Sequence, residues 1–140
     1  MPENRSGSLS KQERQAVKDR AKELKAQKTA ADGLKAVQDA IAALSTEDQT
    51  IANKLHEIVV DVAPDLAPKT YYGMPGWARD GKVCVFMQPA SKFKVRYCTI
   101  GFDPTANLDD GNMWPTSFAL LKLGPAEKKR ITALVTRAAG

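Results

Sequence analysis

The chain has 140 residues, 43% of them apolar, and carries 21 Lys and Arg against 16 Asp and Glu for a formal net charge of +5. That composition suits one globular domain burying about two-thirds of the surface its unfolded chain exposes, enough for a stable core without metal or disulfide staples. No apolar run approaches the ~20 residues of a membrane span and the N-terminus lacks the apolar stretch of a secretory signal, so a cytoplasmic protein without a membrane partner is expected.

The charge is segmented. Residues 1–35 hold nine Lys and Arg against five Asp and Glu, whereas residues 36–68 set Lys54 alone against Asp39, Glu47, Asp48, Glu57, Asp61 and Asp65. Net basicity therefore argues only weakly for nucleic acid, because an electrostatic footprint needs its cations on one face.

Residues 1–9 have the composition of a disordered lead. Ser10 with Glu13 is a capping-box pair for a helix to about Lys28, with a thin apolar stripe at Val17, Ala21 and Leu24. This predicts a basic extension over residues 1–33, flexible or helical, ahead of a compact domain over residues 34–140. Asp32-Gly33 breaks the pattern, and Leu34, Val37, Ile41 and Leu44 recur at helical spacing. Ser45 and Asp48 restart a helix whose buried stripe is Ile51, Leu55, Ile58, Val59 and Val62, ending at Pro64.

Sheet follows. Met74 to Arg79 reads as a strand, Asp80-Gly81 as the positive-φ pair of a tight hairpin, and Val83 to Gln88 as its partner. Phe93, Val95 and Tyr97 alternate with Lys94, Arg96 and Cys98, which predicts a third strand running to about Gly101 with a basic outer face. A loop over residues 103–115 leads to Ser117–Leu123, a fourth strand in preference to a buried helical turn. Gly124-Pro125 then opens a last helix with Ile131, Leu134 and Val135 buried. The expected fold is α+β: two N-terminal helices, an antiparallel meander of three or four strands, and a C-terminal helix packed on one sheet face.

Few catalytic parts are visible. His56 is the only histidine, so a histidine-based metal cluster is unavailable, and no Gly-rich phosphate loop or nucleophile elbow occurs. Cys84 and Cys98 sit in apolar runs without metal-ligand spacing and read as buried free thiols. Glu57 and Asp61, one helical turn apart with Asn53 on the same stripe, could hold a hard cation loosely; a solvated helix face explains the same pair. Tyr72, Met74, Trp77, Lys94, Arg96 and Trp114 mix aromatic and basic character in the way that binds a small anion or single-stranded nucleic acid, while core aromatics and solubilising strand charges are the more ordinary explanation of the same residues. Asp109 and Asp110 beside Gly111 are turn chemistry in a loop long enough to carry a function.

The stretches Lys69-Thr70-Tyr71-Tyr72-Gly73-Met74-Pro75, Asp80-Gly81-Lys82, and Asn107-Leu108-Asp109-Asp110-Gly111-Asn112-Met113-Trp114-Pro115-Thr116-Ser117-Phe118-Ala119-Leu120 resemble the YdhG-like family of bacterial domains of unknown function, over about residues 34 to 138. The resemblance implies an α+β fold. Because some members are described as frataxin-like iron chaperones, it also implies a non-enzymatic carrier that binds iron weakly, here through Glu57 and Asp61, with Glu47, Asp48 and Asp65 extending the acidic surface. The alternative expectation is an anion, small-molecule or single-stranded nucleic-acid binding module on the aromatic and basic surface, as a monomer or weak homodimer.

Overall fold

The computed structural model describes residues 9–26 and 29–140, with side chains from residue 29 on and up to Glu23 before it. The lead over residues 1–8 and the Leu24 side chain lie outside these. Three helices come first: α1 (Lys11–Ala26), α2 (Ala30–Ala42) and α3 (Thr46–Val62). Strands β1 (Ala67–Pro68), β2 (Gly76–Arg79) and β3 (Lys82–Gln88), the single helical turn α4 (Ala90–Phe93), strands β4 (Cys98–Phe102) and β5 (Ser117–Leu120), and helix α5 (Pro125–Ala139) follow. The five strands form one antiparallel meander in chain order, so the fold is α+β. Among the described residues no helix is long and apolar enough to cross a membrane.

The caps are the ones the side chains dictate. Ser10 and Glu13 reciprocally bond each other's backbone N–H groups at 3.0 and 2.8 Å, and the Ser45 hydroxyl accepts from Asp48 N at 3.2 Å. Thr29, not Asp32-Gly33, starts α2, its hydroxyl accepting from Asp32 N at 3.1 Å. Gly33 lies inside the helix because β1 passes close by: a Cβ there would come within 2.2 Å of Pro68 O. A domain edge at residues 33 and 34 would therefore cut α2.

One sheet face is the core. Trp77 pairs with Val85, Val85 with Phe102, Met87 with Ile100, and Cys98 with Leu120, all on the side that meets Val37, Leu55, Val59, Ile131 and Val135 of the helical layer. A bulge between Trp77 and Ala78 also turns Cys84 into this cluster. The opposite face carries Phe86 between Gly76 and Gly101. A Cβ on Gly101 would stand 2.3 Å from the Phe86 ring, so that glycine gives the ring its seat.

One strand is added and one strand expectation is corrected. β1 is only two residues long and was masked by its proline, tolerable here because Pro68 is on the sheet edge. The third strand of the hairpin series, β4, begins at Cys98. Lys94 instead ends α4 in the left-handed conformation, φ 55°, and Arg96 lies in the exposed link that follows. The five-residue alternation from Phe93 to Tyr97 was too short to distinguish a strand from a helical turn pinned from outside: the Asp48 carboxylate accepts from Ser91 N at 3.0 Å.

Candidate functional site

Tyr71 to Met74 makes a second tight hairpin before the expected one. Tyr71 N donates to Met74 O at 2.8 Å and Met74 N to Tyr71 O at 2.9 Å, while Tyr72 and Gly73 both have positive φ, 53° and 78°. Positive φ at both central residues marks a type I′ turn, which leaves the two central N–H groups out of the hairpin's own pairing. Consecutive N–H groups of this kind form a concavity for an anion.

An anion sits there. The Glu23 carboxylate takes Tyr72 N on Oε1 at 2.9 Å and Gly73 N on Oε2 at 2.6 Å, with only 6% of its side-chain surface exposed. Glu23 comes from α1, which meets the hairpin with Arg20 and Glu23, and the buried Ala16 lies on the same helix face, at i with Arg20 at i+4 and Glu23 at i+7. The expected stripe is overturned: Val17 is 52% exposed and Ala21 is exposed, because the receiving surface is a polar turn rather than an apolar groove. Arg20 spreads its guanidinium 5.3 Å from the Tyr71 ring centre and 5.6 Å from that of Tyr72. Its Nη1 lies 3.6 Å from Glu23 Oε1 and is buried with no hydrogen-bond partner among the described residues. Lys92 of α4 donates to Gly73 O at 2.9 Å, and Asp19 Oδ2 stands where a Cβ on Gly73 would have to go, 2.5 Å away.

The aromatic support runs onto the open sheet face. Tyr71 packs edge-on to Tyr72 at 4.8 Å and tilts against Phe86 at 5.4 Å. Burial, followed by the Asp103 carboxylate that its hydroxyl meets, pushes the Tyr71 phenol above its ordinary pKa and keeps it neutral. Asp103 also borders a cleft of about 340 Å³ with Phe102, Asp109 and the half-buried Trp114.

No protein-family model, curated protein or solved structure matches this chain. Its geometry alone therefore sorts the residues singled out by sequence. Tyr72 and the buried Met74 share the hairpin. Trp77 has no exposed surface; its indole N–H donates to His56 Nδ1 at 3.1 Å on the core side of the sheet, away from Tyr71. Lys94 and Arg96 lie on the exposed end of α4 and its link, where Arg96 stacks over Tyr97 at 5.1 Å. Trp114 belongs to the neighbouring cleft, so the six residues do not form one surface.

Glu57 and Asp61 are exposed, one turn apart on α3, and Glu57 borders a cleft with Lys54 and Lys128. Among the described residues no group of three or more His, Cys, Asp or Glu is placed to hold a metal ion. Asp48 leaves the expected acidic surface: it is buried, accepting from Ser91 N and from Cys98 Sγ at 3.5 Å. Burial, then the Asp48 charge, pushes the Cys98 thiol up to about 11, and burial raises Cys84 as well. Both thiols are free, buried and protonated near neutrality, so neither is a ready nucleophile.

Proposed function

We propose that this chain is a non-enzymatic, cytoplasmic binding domain that recognises a carboxylate-type anion at the Tyr72–Gly73 turn, as a member of the YdhG-like family. The observation that carries the reading is the pair of turn amides holding one buried carboxylate, an oxygen to each N–H. Charge-assisted bonds of this kind contribute about 1.5–3 kcal/mol each, enough for recognition without any large apolar cavity. The Tyr-Gly-Met-Pro segment that carries the family resemblance is also the segment that forms this receptor. Binding, rather than catalysis, fits a site whose ionisable neighbours include neither a histidine nor an activated thiol.

The reading is tested with Glu23→Ala, which empties the amide pair. Acetate, compared with chloride at equal ionic strength, should raise the melting temperature of the variant clearly more than that of the wild type, whose site is already filled by Glu23. At about twenty times its Kd, acetate would add about 1.8 kcal/mol of stability. An equal response in both chains would refute the reading. The second reading, iron carriage, rests on Glu57 and Asp61 being solvent-exposed one turn apart. Anaerobic Fe(II) calorimetry on the wild type and on Glu57→Ala/Asp61→Ala tests it, and heat unchanged by the double substitution removes that assignment.

A further inference from the structure

We infer that the ligand of the Tyr72–Gly73 site is a helix of a partner protein that presents an Arg and a Glu on one face, and that α1 is its tethered competitor. This inference rests on the carboxylate-binding reading above and adds what presents the carboxylate and what regulates access to it. It begins with what the site offers once α1 is lifted away. Two adjacent N–H donors remain and call for an anion, with the Lys92 ammonium beside them on Gly73 O. The faces of Tyr71 and Tyr72 remain beside them and call for a cation, the place now taken by Arg20. An anion and a cation side by side at this separation match an Arg-x-x-Glu pair on one helix face, three residues apart.

The seated α1 also defines what a competing helix must avoid. Ala16, one turn before Arg20, is only 7% exposed, so a large side chain at that position would have no free space in the seated helix. Gly73 has no room for a side chain beneath Asp19, which keeps the turn flush with the helix. The recognised pattern is therefore a small residue, then Arg four positions later, then Glu three after that, with little apolar surface required. A free carboxylate satisfies the amides alone; the helix satisfies the amides and the tyrosine faces together.

Helix α1 is suited to act as a gate. Its described side chains bury one alanine and one carboxylate, Ala16 and Glu23, and leave Val17 in solvent. An isolated helix of 16 residues is marginal in water, so release of Glu23 loosens the whole element and exposes the site. If α1 leaves the site open a tenth of the time, a partner helix binds the wild-type chain about tenfold more weakly than a chain whose own helix cannot compete.

The test is fluorescence anisotropy of a labelled synthetic peptide of residues 9–26 against the full chain. The peptide should bind Glu23→Ala saturably and bind wild type about tenfold or more weakly. Peptides carrying Arg20→Ala or Glu23→Gln should lose affinity for the Glu23→Ala chain. The buried Trp77 fluorescence verifies that this chain is folded, and Glu23→Gln in the full chain provides a second host if it is not. Absence of peptide binding in a folded host that still responds to acetate would overturn the helix inference and leave the carboxylate reading standing. Absence of both responses would overturn both. Mixed dimers of wild-type and Glu23→Ala chains in light scattering would make a second copy of this chain the occupant and overturn the assignment to a partner.

Discussion

Replacing Glu23 by alanine should unlatch α1 without unfolding the domain. The carboxylate accepts two backbone bonds, at 2.9 and 2.6 Å, while 6% exposed. At about 1.5–3 kcal/mol per charge-assisted bond the gross loss is about 3–6 kcal/mol. The freed N–H groups are in a half-buried turn that water reaches once the side chain is gone, which recovers part of that and leaves about 2 kcal/mol for docking of α1. Since ~1.4 kcal/mol is a factor of ten, amide hydrogen exchange in α1, and at Tyr72 and Gly73, should quicken about 30-fold. Exchange in β3 and β4 should hold steady, because Met87 and Ile100 lie in a core cluster that includes none of the described α1 side chains. Residue-resolved exchange by NMR measures both regions in one sample. Unchanged α1 protection, or equal acceleration in β3, would refute the reasoning.

Three further outcomes follow from the same contacts. His56→Ala removes the acceptor of the buried Trp77 indole and should lower stability by about 1–3 kcal/mol in urea titrations followed by tryptophan emission; an unmoved midpoint would show that the bond contributes nothing. The folded Cys98 thiol is raised from 9.0 to about 11, so its protonated form is favoured by folding. That contribution is complete below pH 9 and lost as pH rises to about 11, so stability with Cys98 present should fall across this window more than in Cys98→Ala, and parallel curves would contradict the raised pKa. Gly33→Ala gains about 1 kcal/mol of helix propensity, but its Cβ would stand 2.2 Å from the Pro68 carbonyl; a net loss of stability is expected, and a gain would show that β1 yields freely.

Much of the body was legible because it is apolar and periodic. The α3 residues Ile51, Leu55, Ile58 and Val59 are all buried, Asp80-Gly81 makes the positive-φ turn, and Pro125 opens α5. The site was half legible: Tyr71 to Met74 stood out by composition, but its partner did not. Glu23 lies about fifty residues away in sequence, and a polar docking face leaves no apolar stripe to read, so Val17 drew the attention that belonged to Ala16, Arg20 and Glu23. The usable signal was their i, i+4, i+7 spacing together with a Tyr-Gly pair able to adopt positive φ. Trp77 and Asp48 were misplaced for a related reason: each has a buried polar partner, His56 and Ser91 N respectively, that only the tertiary fold brings near.

The measurement closest to the central claim follows the Tyr72 and Gly73 amide resonances of the Glu23→Ala chain in ¹H–¹⁵N NMR as acetate is added against a chloride control. Both resonances should move downfield together along one saturable curve, as two donors meeting one carboxylate, while the wild-type pair follows only at about tenfold or more higher acetate. Linear drift matched by chloride, or movement centred elsewhere in the chain, would contradict a carboxylate receptor at this turn.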